Sequence, residues 1–442
     1  MAKSARLAAL TVLERCRRNQ AFSDALIGSA ASGAGLEGKD RALCSRLSYG
    51  VLQNAMLCDF YIDSYLQGTK KLEPKLRDIL RITVYQLLFL DRIPAHAAIN
   101  EAVELCKELG LARASGLANA VLRKIAANCN DLPEIPREDI CSYLSIKYSH
   151  PKPLVQLIID ELGETEAEQL LAANNEPAPI FIQANTLYTT GGELLTELKN
   201  ADVEAFAHDS LENCIELSNC GDITALKAFS DGKFYVQDPA ARLAIYAAAP
   251  KCGDKVLDAC SAPGGKSFAA AITMENCGSI LSCDIHKNKL NLVESGAKRL
   301  GINIISTDAM DASAPHDGLL NAFDLVIADV PCSGLGVIRK KPDIRFKDIS
   351  MLSALPEKQL SILEGLSSCV CPGGVLLYST CTFLERENGD FVNRFLSKHS
   401  EFSVESFELP KPLGLISEGS ITLYPHLHGT DGFYICKLRK QK

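Results

Sequence analysis

The sequence predicts a protein of three parts: an all-helical bundle, a small α+β module and a C-terminal α/β domain on a mostly parallel sheet. Residues 1–130 contain two prolines and repeat apolar residues at helical spacing, as at Leu76, Leu80 and Val84. The polar, proline-containing stretch 128–138 indicates a linker. From Lys251 onward, strand-like runs alternate with helical runs, which is typical of a sheet covered by helices on both faces.

We expect the three domains to span 1–130, 140–240 and 241–442. In the first, the nearly all-apolar segment Tyr85–Leu90 predicts the central helix of a bundle. In the second, short strands and helices over 180–237 suggest a ferredoxin-like module. In the third, we predict parallel strands and a closing antiparallel hairpin. The predicted strands of the sheet are Lys255–Ala259, Ser279–Cys283, Asn303–Ser306, Phe323–Ala328 and Gly374–Ser379.

Composition favours an ordinary globular protein of the cytoplasm. Hydrophobic residues make up 47% and charged residues 23% of the chain. No apolar run approaches the length of about 20 residues needed for a membrane span, and the N-terminus has no secretory pattern. The 17 cysteines form no C-x-x-C pair, so we expect reduced thiols rather than disulfides. We predict no metal site, no membrane partner and a monomer.

The distribution of charge separates the N-terminal part from the rest. Residues 1–130 hold 18 Lys and Arg against 12 Asp and Glu, hence +6, whereas the remainder holds 28 against 42, hence −14. A basic module joined to an acidic body suggests nucleic-acid contact at one end. An ordinary solvated surface would give the same count, and that alternative is about equally good.

The stretch Lys255–Lys266, KVLDACSAPGGK, organises the C-terminal domain. A strand feeds a Pro-Gly-Gly turn that opens a helix, which places backbone N–H groups and the positive end of the helix at one point. Glycine lets a ligand approach the backbone closely. The pattern matches neither the dinucleotide nor the P-loop fingerprint, so alone it predicts a ligand turn without naming the ligand.

Carboxylates or cysteines follow four of the five predicted strands. Asp284 follows the second strand, Asp308 the third, Asp329 with Cys332 the fourth, and Cys381 the fifth. Ligands of such sheets bind outside the carboxyl ends of the strands, where Asp284 could accept hydrogen bonds from a ribose. Each aspartate alone would more often be a turn residue, but four such ends at one edge predict a site.

A ribose-binding acid without a dinucleotide fingerprint points to S-adenosylmethionine, with Asp308 near the adenine. Two thiols at the same edge, Cys332 and Cys381, suggest a reaction that needs a nucleophile. Amine or hydroxyl methylation needs none, whereas carbon 5 of cytosine reacts only after a thiolate has added to carbon 6. Asp329 would stabilise charge on the ring, and Lys266 would ease thiolate formation. Two buried structural cysteines remain the alternative.

The motifs DACSAPGGKS, DVPCSGLGVIRKKPDIRF, LLYSTCTFLERENGD and HGTDGFYICKL resemble those of the RNA 5-methylcytosine methyltransferases, whose catalytic domain is Rossmann-like. LSYGVLQN and LRITVYQLLFLDRIPAHAAINEAVEL resemble an antitermination-factor-like RNA-binding domain. The resemblance implies methylation of a cytosine in 16S ribosomal RNA, with Cys381 as nucleophile and Cys332 aiding product release. The cofactor residues it implies are Cys260, Ser261, Ala262, Pro263, Gly264, Gly265, Lys266, Asp284, Asp308 and Asp329.

Two departures and one ambiguity accompany the resemblance. Asp-Val-Pro-Cys stands where the family has Asp-Ala-Pro-Cys, and Leu384–Asn388 lacks the expected proline. DNA-directed enzymes of this chemistry use the Pro-Cys cysteine, so only the resemblance favours Cys381. Three other functions remain open: methylation of transfer RNA, ribosome assembly by RNA binding alone and amino-group methylation. The last would require an Asn/Asp-Pro-Pro-Tyr/Phe motif.

A basic segment follows the fourth-strand motif. It holds five basic residues, one acid and an aromatic ring, a composition suited to holding phosphates around an extruded base. A solvated loop is the alternative. The predicted RNA-binding residues are Arg339, Lys340, Lys341, Arg345 and Phe346. The histidines of His426-Leu427-His428 show no third ligand and predict no metal.

Overall fold

The structure, a computed structural model, describes residues 4–19, 23–66, 72–218, 220–411, 413–414 and 416–442. It divides into two compact units. The helical unit comprises Met1–Glu176 and Ile338–Ile349; the sheet unit comprises Pro177–Val337 and Ser350–Lys442.

The helical unit is built from nine described α-helices. Apolar positions three and four residues apart bury one face of each helix, which is why the sequence folds as a bundle. The helices are α1 Ala5–Asn19, α2 Ser23–Gly33, α3 Gly38–Tyr65, α4 Pro74–Phe89, α5 Ala95–Glu108, α6 Ser115–Ala127, α7 Ile140–Tyr148, α8 Lys152–Leu162 and α9 Glu164–Ala173.

Helix α4 lies at the centre of the bundle, as predicted. Pro74 stands in its first turn, where a missing N–H costs nothing. Ile79 and Leu80 are fully buried, and Tyr85 is nearly so, whereas Phe89 is 38% exposed. The most buried part of the helix therefore precedes the apolar run Tyr85–Leu90 that predicted it.

The sheet unit begins with a four-stranded antiparallel sheet in the order β2-β3-β1-β4. Short strands were predicted over 180–237, and all four strands of this sheet fall within that range. A capping box between Thr190 and Glu193 starts the helix that covers this sheet. The elements are β1 Ile180–Ala184, α10 Gly191–Asn200, β2 Glu204–Ala207, β3 Cys214–Ser218, α11 Lys227–Ser230 and β4 Phe234–Val236.

The larger part of the sheet unit alternates strands and helices before it ends in antiparallel strands. The helices are α12 Pro239–Ala248, α13 Gly265–Thr273, α14 Lys287–Arg299, α15 Leu355–Ser367, α16 Gly389–Lys398 and α17 Pro425–His428. The strands are β5 Lys255–Asp258, β6 Ser279–Asp284, β7 Ile305–Ala309, β8 Phe323–Asp329, β9 Val370–Thr380, β10 Phe402–Val404, β11 Phe407–Glu408, β12 Ile416–Ser417, β13 Ser420–Leu423 and β14 Phe433–Lys440.

The main sheet runs in the order β10-β14-β9-β8-β5-β6-β7, and β13 pairs with β14. Strands β5 to β9 are parallel, and β14 pairs antiparallel with β9. The chain proceeds from β5 to β6 and β7 on one side and returns to β8 and β9 on the other. Strand β5 therefore flanks the topological switch point, where such sheets bind ligands.

Specific contacts fasten the small antiparallel sheet to the main sheet. The amide of Asn185 donates to the carbonyl of Leu300, at a distance of 2.9 Å. The guanidinium of Arg299 donates to the carbonyls of Phe229 and Phe234 and lies 3.8 Å from the ring centroid of Phe229. These contacts hold the two sheets together within one compact unit.

Candidate active site

The turn between β5 and α13 has the geometry of a ligand-binding loop. Gly264 adopts φ +111°, a conformation that favours glycine, and a Cβ there would overlap the ring of Phe268. The Ala262–Pro263 peptide bond is cis. Helix α13 begins at Gly265, so the N–H groups of its first turn point out of the helix toward the strand ends.

Buried polar atoms surround this turn and favour a bound polar ligand. Within the described residues, the Ser261 hydroxyl, one carboxyl oxygen of Asp258 and both amide atoms of Gln237 are buried without a hydrogen-bond partner. Gln237 also lies beside Gly265, where an added Cβ would press on its Nε2. Such groups are costly unless something bonds to them. The donors and acceptors match the amino-acid end of S-adenosylmethionine.

Asp284 lies at the end of β6, next to the glycine turn. The N–H of Ser261 donates to the carbonyl of Cys283, which joins the turn to this strand end. Asp284 is 8% exposed and accepts from the N–H of His286, an arrangement that fixes its carboxylate. Asp308 lies on the neighbouring strand, where it is paired in register with Cys283, and its side chain is exposed.

Asp329 and Lys266 form an ion pair at the ends of β8 and α13. Their Oδ2 and Nζ atoms are 2.7 Å apart, and the other carboxyl oxygen accepts from Ser379 at 2.9 Å. Lys266 also lies 4.9 Å from the ring centroid of Phe433. Because Lys266 is committed to Asp329, its contacts give no support to the expectation that it eases thiolate formation.

Cys332 and Cys381 face each other. Their Sγ atoms are 3.0 Å apart, and the N–H of Cys381 lies 3.3 Å from Sγ of Cys332. Strands β8 and β9 are adjacent and parallel, with Asp329 in register with Ser379, so the residues that follow them meet at one edge. Two thiols in contact can share a proton or act in turn on one substrate atom.

Burial and charge act on the Cys332 thiol. The hydrogen bond with Cys381, burial and the charges of Cys381 and Glu387 raise the pKa of Cys332 well above its ordinary value. Cys332 therefore keeps its proton and can donate it toward the sulfur of Cys381. The expectation that an attacking thiolate forms easily at this edge of the sheet stays a prediction.

The C-terminal hairpin supports the thiol pair through backbone contacts. The N–H of Gly336 donates to the carbonyl of Cys381, and the N–H of Gly432 donates to the carbonyl of Gly336. A Cβ at Gly336 would overlap the backbone of Gly432. The turn that contains Gly432 therefore borders the site.

The basic segment belongs to the helical unit, within Ile338–Ile349. Lys341 and Phe346 are exposed there, and Arg339 and Lys340 are half-buried. Arg345 requires a correction: it is 1% exposed and donates to the carbonyls of Gln53 and Ser149, among others. A guanidinium held inside a bundle cannot contact RNA phosphates. Burial lowers the pKa of Arg345 to about 9.

The sequence missed the residues that hold the two cysteines in place. Ser379, Glu387 and Asn388 hydrogen-bond to Asp329 or to residues beside a cysteine, and all three lie in or next to motifs quoted for the resemblance. Gln237 was not considered either, although it directly precedes a helix N-cap, Asp238. The sequence signal that could have identified these residues was their short distance from the predicted strand ends.

Family comparisons match three parts of the chain. A family described as 16S rRNA methyltransferase RsmB/F matches residues 245–439. The NusB family matches residues 3–127. A ferredoxin-like domain of RsmF/B-like methyltransferases matches residues 150–224. The last match extends from the helical unit into the sheet unit, since the structural division falls between Glu176 and Pro177.

Whole-chain relatives agree with these matches. A probable ribosomal RNA small subunit methyltransferase B of Bacillus subtilis is 36% identical over 99% of both chains. A ribosomal RNA small subunit methyltransferase B of Erwinia tasmaniensis is 30% identical over 98% of both. Among solved structures, PH0851 has a TM-score of 0.81 at 27% identity and covers 100% of this chain and 99% of that one.

A sheet whose strand order reverses beside the glycine turn, together with these relatives, defines an S-adenosylmethionine-dependent methyltransferase. More narrowly, the chain belongs to the RsmB/F family of 16S rRNA methyltransferases. The predicted helical, ferredoxin-like and Rossmann-like parts are confirmed.

None of the helices among the described residues has the length and apolar character needed to cross a membrane. The same residues contain no cluster of three or more His, Cys, Asp or Glu that could hold a metal ion.

Proposed function

We propose that this protein methylates carbon 5 of a cytosine in 16S ribosomal RNA through a covalent bond between Cys381 and carbon 6. The observation that carries the proposal is the 3.0 Å separation of the sulfur atoms of Cys332 and Cys381. Methylation of an amine or a hydroxyl has no use for two thiols in contact. Methylation of a pyrimidine carbon uses one thiol to activate the ring and another group to aid release.

The cofactor site consists of the glycine turn and the neighbouring strand ends. Gly264, Gly265 and Ser261 would hold the amino-acid end, and Asp284 the ribose. Asp308 would lie near the adenine. S-adenosylmethionine supplies a methyl group on a positively charged sulfur, which is electrophilic.

The chain's own residues prepare the cytosine. The sulfur of Cys381 adds to carbon 6, and the electron pair of the ring double bond moves so that carbon 5 becomes nucleophilic. Asp329, held by Lys266 and Ser379, would be oriented toward the ring nitrogen that gains charge. After methylation, water takes the proton from carbon 5, the freed electron pair restores the double bond, and the bond between carbon 6 and sulfur breaks with its electron pair left on the sulfur of Cys381.

Cys332 would assist the last step. Because its pKa is raised, it carries a proton at neutral pH and can deliver it to the departing sulfur of Cys381. The same proton supports the thiolate of Cys381 by a hydrogen bond before attack. This division of roles assigns the nucleophile to Cys381 and product release to Cys332.

The proposal is tested by methylating separated RNAs with purified protein and analysing the nucleosides by mass spectrometry. We expect 5-methylcytidine in 16S ribosomal RNA and none in transfer RNA. Methylation of transfer RNA alone would favour the alternative substrate. A methyl group on an amino nitrogen would refute carbon-5 chemistry.

A second candidate function is ribosome assembly by RNA binding, with catalysis incidental. The NusB-family match and the basic charge of residues 1–130 favour it. Complementation of a deletion strain separates the two functions. We expect a gene that encodes Cys381→Ala to leave the defects of the deletion strain that arise from the missing methyl group. Full correction of every defect by this gene would favour the assembly role.

A further inference from the structure

Asn388 bonds to the residues on both sides of the predicted nucleophile. Its Oδ1 accepts from the hydroxyl of Thr380 at 2.7 Å, and its Nδ2 donates to the carbonyl of Thr382 at 3.1 Å. Thr380 and Thr382 flank Cys381 and, like Asn388, are fully buried. The Asn388 side chain thus holds the side chain of the residue before Cys381 and the backbone of the residue after it.

Glu387 does the same for the second cysteine. Its Oε2 accepts from the N–H of Ser333 at 3.0 Å and from Nε2 of Gln359 at 2.9 Å. Gln359 in turn donates to the carbonyl of Pro331 at 3.1 Å. Pro331 and Ser333 flank Cys332, so the carboxylate and the amide together hold the loop on both sides of that thiol.

The two halves are joined directly. The Ser333 hydroxyl donates to the Thr382 hydroxyl at 2.8 Å, which links the loop of Cys332 to the loop of Cys381. The hydroxyl of Tyr378 donates to the carbonyl of Glu387 at 2.7 Å and ties the pair to the central strand β9. Apart from the part-buried bond between Gln359 and Pro331, these hydrogen bonds are buried, where the low dielectric strengthens them.

Burying Glu387 is costly for the fold. The residue is fully buried, and among the described residues its Oε1 has no hydrogen-bond partner. Among the described residues, the partners of its carboxylate are an N–H and an amide rather than a cation. A buried carboxylate with one oxygen unpartnered destabilises a protein, and groups of this kind are found where function requires them.

We propose that Glu387 and Asn388 are positioning residues that hold the sulfur atoms of Cys332 and Cys381 within reach of one cytosine ring. The role in catalysis rests on the proposed function, whereas the hydrogen bonds that position the two thiols do not depend on it. Neither residue touches the reacting atoms. Each acts through the residues that flank one of the two thiols. Because Glu387 and Asn388 are adjacent in sequence, they couple the position of Cys332 to that of Cys381.

Glu387 also has an electrostatic effect on Cys332. Its charge is one cause of the raised pKa of that thiol, together with the contact with Cys381 and burial. Tyr378 of β9 also faces Cys332. Glu387→Gln keeps an oxygen for the N–H of Ser333 and removes the charge. It should therefore preserve the position of Cys332 and lower its pKa.

The first test measures thiol proximity without RNA or cofactor. The full-length protein is treated with diamide, which takes the two thiol hydrogens as a disulfide forms, and the Cys332–Cys381 peptide pair is followed by mass spectrometry. Thr380→Val removes one hydroxyl without changing the side-chain shape, and Thr380→Ser restores the hydroxyl. We expect Asn388→Ala and Thr380→Val to slow cross-linking by about 10-fold and Thr380→Ser to react as wild type.

The second test measures catalysis. Asn388→Ala should lower kcat by about 100-fold, because a misplacement of about 1 Å has that effect. KM for S-adenosylmethionine should change by less than about threefold, because the cofactor turn is intact. In a Cys381→Ser background, Glu387→Gln should move the pH midpoint of Cys332 alkylation downward. Glu385→Gln, an exposed acid in the same turn, is the matched control and should not move it.

Unchanged cross-linking in both Asn388→Ala and Thr380→Val would overturn the positioning role, even if activity fell. An unshifted alkylation profile in Glu387→Gln would overturn the electrostatic part. Failure of the proposed function would appear elsewhere, as methylation that survives Cys381→Ala while the cross-linking results stand.

Discussion

The Sγ atoms of Cys332 and Cys381 lie 3.0 Å apart although 49 residues separate the two cysteines in sequence. Adjacent parallel strands bring them together, since β8 and β9 end at the same edge of the sheet. In the proposed mechanism this contact joins the nucleophile, Cys381, to a proton donor, Cys332.

Gly264→Ala should weaken the binding of S-adenosylmethionine. The added Cβ would overlap the ring of Phe268, and alanine is strained at φ +111°. Strain of this kind costs about 1–3 kcal/mol, so the dissociation constant should rise by about 5-fold to about 150-fold. Isothermal titration calorimetry with the cofactor measures it. Gly192→Ala, where nothing lies within 4 Å of an added Cβ, should bind as wild type.

Asp258→Asn should flatten the pH dependence of stability. Burial raises the pKa of Asp258 from 3.8 to about 7. Between about pH 4 and pH 7 the folded protein therefore keeps a proton on Asp258 that the unfolded chain has released. The bound proton stabilises the folded state, and this stabilisation is lost as the pH rises through about 7.

The test is urea unfolding at pH 5.5 and pH 8. Between pH 5.5 and pH 8 the free energy of unfolding should fall less in Asp258→Asn than in wild type. The difference between the two falls should be on the order of 2 kcal/mol. Asp317→Asn, at an exposed position, serves as the control and should behave as wild type. An equal loss in Asp258→Asn and wild type would contradict the raised pKa.

Lys341→Ala should reduce affinity for RNA at low salt. Lys341 is exposed in the basic segment, where it can neutralise a phosphate. The slope of log affinity against log salt should fall by about 0.7, the value for one phosphate contact on a single strand. Fluorescence anisotropy at several salt concentrations gives this slope. An unchanged slope would remove Lys341 from the RNA-binding surface.

Arg345→Met should destabilise the helical unit rather than weaken RNA binding directly. The substitution removes the Arg345 donor from the carbonyls of Gln53 and Ser149. We expect a loss of about 3 kcal/mol, as for removal of a buried charged hydrogen-bond donor. Thermal unfolding measures it. A variant that unfolds as wild type but no longer binds RNA would restore the original prediction for Arg345.

The strand ends of the C-terminal domain were predictable because buried parallel strands leave a strong apolar signal. The positions of Asp284, Asp329, Cys332 and Cys381 followed from one rule, that ligands bind beyond the carboxyl ends of parallel strands. The contact between the thiols required only that β8 and β9 be neighbours.

Other features could not be read from local sequence. Arg345 lies in a run of basic residues, and composition gives no indication that its guanidinium is enclosed by the carbonyls of distant helices. The Asn388 side chain turns back to residues six and eight positions before it, whereas the Glu387 side chain bonds to Ser333, 54 positions earlier. Long-range hydrogen bonds of this kind are settled by packing, not by propensity.

The most direct test of the central claim is the identity of the residue bonded to RNA. Cys332→Ala protein is incubated with 16S ribosomal RNA and S-adenosylmethionine, digested with nuclease and protease, and analysed by mass spectrometry. The account predicts a trapped 5-methylcytosine nucleotide on Cys381, no trapped nucleotide in the double variant Cys332→Ala/Cys381→Ala, and no turnover in Cys381→Ala. A nucleotide on any other residue, or normal turnover in Cys381→Ala, would contradict it.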